Sequence, residues 1–365
     1  MTLPDLRIDI ETDDRAARAR IASLPCALVR GVFQRPDWLA AWSAAHSTRP
    51  PRLALVTVTR KRDETIVLAL PLMREQRGAT VYWTMLDDGV SDYNAPLFAP
   101  DFAPTRAELA RLRTAIVERL PDADVFVIEK MPEWVGGHRN PLFDLPGLLA
   151  SRFRRHTLPL AGGLEAVRAR FRGASGLARK RRRLARRGRL SFDVLSDRAA
   201  VPVIERLMSW RSRRYDTRET TTDLYRRLLS DTEMGRLGVL RFDGEPIAGC
   251  FSIVDDGALR LLLVAFDAEY AAWSPGRLAI EDTIAWAIDA GFDEFDFTIG
   301  SEAFKFDFGV ETDALWEVRA PLRWRGAVSL HLQDVRRTVA AFVRRSLPVL
   351  RPLSSTRSDR PASAP

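Results

Sequence analysis

The order strand, strand, strand, loop, helix, strand occurs twice in this chain, over residues 52–129 and again over residues 237–298. In the first copy, β-branched and aromatic runs near 52–60 and 65–73 flank a charged turn, Lys61 to Glu64, and a third run, ATVYWTM, follows at 79–85. After a loop at 86–103, the apolar spacing of Leu109, Leu112, Ile116 and Leu120 predicts a helix over 104–119, and DVFVIE at 124–129 predicts a strand. In the second copy, LGVLRF (237–242) meets Asp243-Gly244, a hairpin signal. Strands at 246–254 and 258–266 come next, then a loop at 267–276, a helix at 277–290 capped by Gly291, and a strand at 293–298. An antiparallel meander feeding a helix and a further strand gives a mixed sheet of α/β character. The doubling is architectural, since no residue-level repeat accompanies it.

The length of 365 residues allows two domains with a core each. The boundaries expected are 1–160 for the first, 161–325 for the second, and 326–365 for a basic amphipathic helix with a disordered, Pro/Ser-rich end. At 46% hydrophobic and 28% charged residues the composition is that of a soluble globular protein. Apolar runs such as LLLVAF (261–266) are far short of the ~18 residues of a membrane span. The acidic N-terminus predicts no secretory signal, and the chain is read as cytoplasmic. Cys26, Cys250 and four scattered histidines form no CxxC or other ligand pattern, so no metal is expected.

The net charge of +8 is concentrated. Residues 151–190 carry 13 Arg and one Lys against Glu165 alone, a local sum of +13, so the remainder of the chain is mildly acidic. Within it, ARKRRRLARRGRL (178–190) lacks interleaved aromatics, which argues against base stacking and for phosphate capture, with Leu177, Leu184 and Leu190 marking a buried side. A solvated arginine-rich helix face is the plainer reading.

Three short stretches offer chemistry. Ser274-Pro275-Gly276 followed by Arg277 stands between a strand and a helix, where backbone N–H groups and the helix dipole favour an anion such as a pyrophosphate; the same residues also make an ordinary helix start. FDFTIGSEAFKFDFGV (295–310) sets Asp296, Glu302 and Lys305 among phenylalanines at a sheet end, a setting for a general base. A simple pairing of either carboxylate with Lys305 is the alternative. DDGVSDYNAPLF (87–98) packs Asp92, Tyr93 and Asn94 into a loop after a strand, which is also normal turn chemistry.

With these residues collected, the chain resembles the GNAT superfamily of N-acetyltransferases, and within it the CelD-like branch close to the FemAB-type peptidyltransferases. The resemblance rests on VFQRPDWLAAW (32–42), SDYNAPLF (91–98) and WSPGRLAIEDTIAWAIDAGFDEFDFTIGSEAFKFDFG (273–309), and covers about residues 32–325. It implies two tandem acyltransferase-like domains, each a mixed and mostly antiparallel sheet flanked by helices, with acetyl-CoA or a longer acyl-CoA as donor in the second. Ser274, Gly276 and Arg277 are then the CoA contacts, Asp296 or Glu302 the base, and Lys305 its partner. Asp92, Tyr93 and Asn94 line the acceptor side, and Arg179 and Arg183 meet a carrier phosphate. Phe304 stands where the branch commonly has tyrosine, leaving Tyr270 as a spare proton donor. The implied reaction is N- or O-acylation of a sugar or amino sugar in exopolysaccharide or cell-envelope synthesis. The alternatives are FemAB-type transfer from aminoacyl-tRNA, and an inactive scaffold held at the inner face of the membrane by a helix at 327–350. Nucleic acid is not the expected partner of the first reading.

Overall fold

The computed structural model of the chain describes residues 5–215 and 217–346; the Pro/Ser-rich end at 351–365 lies outside the described residues. The first unit runs β1 (Leu6–Glu11), α1 (Asp14–Ala22), α2 (Pro36–Ala45), β2 (Leu53–Arg60), β3 (Thr65–Arg77), β4 (Thr80–Met85), the short β5 (Leu97–Phe98), α3 (Arg106–Val117) and β6 (Val125–Met131). A small hairpin of β7 (Trp134–Val135) and β8 (His138–Arg139) and the long strand β9 (Leu149–Pro159) follow, then α4 (Gly163–Arg168) and α5 (Ala174–Ala185). The second unit repeats the plan with β10 (Leu190–Leu195), α6 (Val201–Ser212), α7 (Glu219–Ser230), β11 (Gly235–Phe242), β12 (Glu245–Asp255), β13 (Ala258–Phe266), α8 (Pro275–Asp289) and β14 (Glu294–Asp296). The short α9 (Ala303–Phe306), β15 (Glu311–Pro321) and α10 (Trp324–Ser346) complete the described chain.

The doubled order is therefore longer than the strand runs alone indicate, because each unit opens with a strand and two helices. All but the β7–β8 hairpin join one mixed sheet of 13 strands, in the order β1-β2-β3-β4-β6-β15-β9-β14-β13-β12-β11-β10, with β5 on β3. The helix after each meander returns the chain parallel to the meander's last strand, β6 beside β4 and β14 beside β13. The two units then exchange strands at the centre. β9 crosses to pair with β14, while β15 comes back from the second unit to lie between β6 and β9.

Side-chain alternation sorts the core into two faces. Phe295 and Phe297 point to the face covered by α8, with Leu278, Ile280 and Ile284, whereas Asp296 points to the opposite face. On that opposite face one apolar cluster runs through both units, from Trp38 and Trp42 of α2 to Leu224 and Leu228 of α7, and these two helices pack against each other. The basic segment within 151–190 holds two helices, α4 and α5, because Gly173 adopts a left-handed φ of 73° between them, a conformation cheap only for glycine. The strand expected over 293–298 pairs only through Asp296, and Thr298 at φ 58° turns the chain away.

Candidate active site

The site begins where β13 and β14 part. They pair from Ala258–Glu294 to Arg260–Asp296, and beyond that β13 continues to Phe266 with its β14-facing edge unpaired. Thr298 marks the fork, its hydroxyl donating to the Leu261 carbonyl at 3.1 Å. A cavity of about 300 Å³ lies along this opened edge. Val264, Phe266 and Ile280 line it with Gly276 and Arg277 from the start of α8, Phe304 from α9, and Trp210, Arg211, Arg214 and Tyr215 from the end of α6. A larger cavity, of about 630 Å³, lies between α1 and α2 among mainly apolar side chains, away from these charges.

At the α8 end, Ser274 holds the N-cap position in a left-handed conformation, and its side chain does not cap the helix. Its hydroxyl instead accepts from Lys180 of α5 at 2.7 Å. The Arg277 and Leu278 amides fold back onto the Ser274 carbonyl, at 3.0 and 3.2 Å, while no protein acceptor for the Gly276 amide is found among the described residues. The arginine-rich α5 lies against this turn. Arg183 and Arg187 stand over the Trp273 ring at 5.5 and 4.8 Å, and Arg181 is fixed to Asp282 at 2.7 Å. Leu177 and Leu184 are its buried side, as the spacing predicts, and Leu190 is half-buried in β10. Arg179 is exposed on the same helix. Arg183 therefore stands beside the α8 turn, with Arg179 on the same helix, rather than beside Asp92, Tyr93 and Asn94. Arg277 is drawn to Asp307 at 3.0 Å. Tyr270 packs on Phe242 and does not line the cleft.

Asp296 is sealed. At 0% exposure it accepts from the Tyr93 hydroxyl at 2.8 Å, the Thr298 amide at 2.7 Å, Arg155 Nε at 3.3 Å and, more closely still, Arg260. A carboxylate has about four lone-pair directions, and all are taken. Arg155 and Arg260 reach on to Glu294 and Asp255, and Asp296 first, with these anions beside it, holds both guanidinium pKa values above the ordinary arginine range despite burial. Burial and Asp296 together push the Tyr93 phenol well above its ordinary value, so it stays a donor. The catalytic role expected of Asp296 is thus replaced by a bracing one between the two units. Lys305 is corrected in the same way: its three protons go to the Phe297 carbonyl at 2.8 Å, the Ile299 carbonyl at 2.5 Å and Glu302 at 3.1 Å, stapling the loop after β14. Glu302, half exposed at the start of α9, is the carboxylate that pairs with Lys305.

The loop after β4 is built for a different purpose. Lys130, buried and itself at a left-handed φ of 58°, binds Asp87 at 2.7 Å and the Ser91 carbonyl at 2.6 Å, and Asn94 donates to Asp87 at 2.8 Å. Asn94 is fully buried as a brace of this loop, whereas Tyr93, itself buried, borders a separate cavity of about 450 Å³ with Arg155 and Arg260. VFQRPDWLAAW packs on this loop, with Phe33 edge-on to Tyr93 at 5.8 Å and the Gln34 amide donating to the Tyr93 carbonyl at 3.1 Å. Asp92 alone of the three keeps an open edge. Protein nevertheless surrounds its carboxyl closely enough that burial pushes it up to about 6, against the pull of Lys130, the Thr298 hydroxyl and Lys305. The charge of Asp92 also reaches the buried Tyr225 of α7, whose phenol burial holds above its ordinary value. Asp92 thus comes from the first unit to the fork in the second. The end of α6, WRSRRY, supplies four cleft residues, Trp210, Arg211, Arg214 and Tyr215, that belong to none of the three stretches singled out from the sequence. Its clustered arginines and tyrosine were the available signal.

Residues 170–306 match the family model described as an acetyltransferase (GNAT) domain, a span that holds the fork, the α8 turn and α5. Over that span the chain is GNAT-like. The fold of the whole chain is shared with a structure of FemX, at TM-score 0.54 and 13% identity, covering 85% of this chain and 96% of that one. It is also shared with the C-terminal domain of a putative lysylphosphatidylglycerol synthetase from Agrobacterium fabrum, at 0.51 and 15%, covering 89% and 96%. A conserved protein of unknown function from Bacteroides thetaiotaomicron matches at 0.53 and 11%, covering 87% and 100%. Among curated proteins none matches by sequence. The GNAT-like span points to acyltransferase chemistry, and a domain of this type implies acyl-CoA use in general. No group of three or more His, Cys, Asp or Glu able to hold a metal is found among the described residues.

Proposed function

We propose that this protein transfers an acyl group from acetyl-CoA or a longer acyl-CoA to an amine or hydroxyl of a sugar acceptor used in exopolysaccharide or cell-envelope synthesis. The observation that carries the donor half is the cleft along the unpaired edge of β13, with the cationic α8 turn at one end. The Gly276 amide, Lys180 and the exposed arginines of α5 take the CoA phosphates. The pantetheine arm runs over Val264 and Phe266 toward the fork. There a backbone N–H on the open edge polarises the thioester carbonyl. The acceptor approaches from the Asp92 side, its N–H or O–H proton passes to the Asp92 carboxylate as the new C–N or C–O bond forms, and the C–S bond breaks to release CoA thiolate, which takes up a proton to leave as the thiol. The cleft itself is lined by the second unit, and Asp92 reaches its fork from the first.

One observation favours a second reading, transfer from aminoacyl-tRNA: the FemX-like fold together with the exposed cationic face of α5. Calorimetric titration with acetyl-CoA and longer acyl-CoAs separates the two. Micromolar binding that is abolished by Gly276→Asp supports the first, because a carboxylate there repels the phosphates. Gly276 is tightly packed, since a Cβ would lie 3.1 Å from Phe266, so Lys180→Glu carries the same test where Gly276→Asp unfolds. No binding at millimolar acyl-CoA, with tRNA binding that falls steeply with salt, overturns it in favour of the second.

A further inference from the structure

Helix α10 has two apolar faces, and only one is used. Its inner face is pinned to the sheet. Gly326 lies so close to the strand edge that a Cβ would stand 1.8 Å from the Asp124 carbonyl oxygen. Leu330 packs on Tyr82, Val125 and Val127. The Gln333 amide donates to the Tyr82 hydroxyl at 2.7 Å, and Arg337 pairs with the fully buried Glu317 at 2.5 Å. At about 100° per residue these positions share one side of the helix.

Trp324, Val328, Leu332, Val335 and Val339 fall on the opposite side, within about 80° of arc by the same count. They are between 47% and 76% exposed, and they make up five of the nine large hydrophobic side chains exposed among the described residues. The inner contacts fix the rotation of the helix, so this stripe cannot turn inward. The helix that carries it is predominantly cationic. Residues 323–346 hold six arginines against one acid, Asp334, which is tied to Arg319 at 2.7 Å. Arg325 and Arg336 lie on one flank of the stripe.

We infer that the outer face of α10 docks the protein on an anionic lipid bilayer surface, lying along it with the apolar stripe in the headgroup boundary. A tryptophan at one end and arginines beside the stripe suit that layer. No helix of the described residues is long and apolar enough to cross a membrane, which fits lying on the surface rather than spanning it. Pairing of the stripe with a second copy of itself brings like charges together, whereas an anionic surface neutralises them. Because α10 packs on β4 and β15, far along the sheet from the α8 turn, docking leaves the cleft accessible.

The test is sedimentation of the full-length protein with phosphatidylcholine vesicles, with and without phosphatidylglycerol. Binding at least ~10-fold tighter to the anionic vesicles, weakened by added salt, is expected. The double substitution Val328→Glu, Leu332→Glu reduces it at least ~10-fold while acyl-CoA binding, measured on the same sample, is retained. A truncated chain ending at Ser346 binds like the full chain. Three results overturn the inference: equal binding to neutral vesicles, binding lost on truncation but not on stripe substitution, or no vesicle binding with a dimer that the double substitution dissociates.

Discussion

Replacing Asp296 by asparagine distinguishes a brace from a base. In the folded protein Asp296 is the common acceptor for Tyr93 of the first unit, for Arg155 of the exchanged strand β9, and for Arg260 and the Thr298 amide of the second unit. Removing one partner of a buried, hydrogen-bonded charge cluster costs about 3–5 kcal/mol. Asparagine keeps one acceptor oxygen, and Glu294 and Asp255 still hold the two arginines, so about 3 kcal/mol is the expected loss. At about 2 °C per kcal/mol for a chain of this size, the melting midpoint falls by roughly 6 °C. Tyr93→Phe, which deletes one hydrogen bond to a charged group, costs about 1.5–3 kcal/mol. The double substitution costs less than the sum of the two by about 1 kcal/mol or more, since both break the same contact. Thermal melts and urea unfolding give these values, and thiol release from acetyl-CoA, followed well below both midpoints, gives turnover. Loss of a general base slows an enzyme about 10²–10⁴-fold. An Asp296→Asn variant that melts with the wild type yet loses activity by that factor refutes the bracing assignment.

The Asp92 carboxyl, raised to about 6, predicts an acid limb in kcat/KM: below that pH it carries a proton and cannot accept another, so the rate rises about tenfold per pH unit and levels above it. Asp92→Asn removes the limb and about 10²–10⁴ of the rate. Because an acid whose pKa is raised by folding loses stability as pH climbs from the ordinary carboxylate range through about 6, the same substitution leaves the melting midpoint at pH 7 unchanged or higher; a lower midpoint contradicts this account. Gly326→Ala forces a methyl against the rigid Asp124 carbonyl and costs about 1–3 kcal/mol, read as a lower urea midpoint, with acyl-CoA affinity unchanged.

What could be read from the sequence was local. The two meanders, α8 and its Gly291 cap depend on neighbours within a turn or a hairpin, and all are where the patterns place them. The strands β9 and β15 escaped reading because SRFRRHTLP and ETDALWEVRAP carry charges at their exposed positions and find their partners only across the unit boundary. With β9 unseen, Arg155 was not available as a partner for Asp296. The partners of that residue lie 203, 141 and 36 positions away, a distance over which no local pattern carries information. VFQRPDWLAAW and SDYNAPLF were legible as signals, yet their joint task, holding Tyr93 against Asp296, appears only once they pack together.

The exchanged strands also set a timetable for synthesis. β6 is complete at Met131, but the strand that covers its outer edge, β15, begins only at Glu311. At roughly 5–20 residues per second, the intervening stretch keeps the nascent first unit with an open edge for on the order of 10–40 s. An uncovered edge invites pairing with any other strand in reach. β9 emerges soon after β6 but is claimed on its far side by β14, so it cannot close the gap alone. Production of this protein in a foreign host is therefore sensitive to elongation rate and to chaperones that shield strand edges, in a way that the stability of the finished sheet does not reveal.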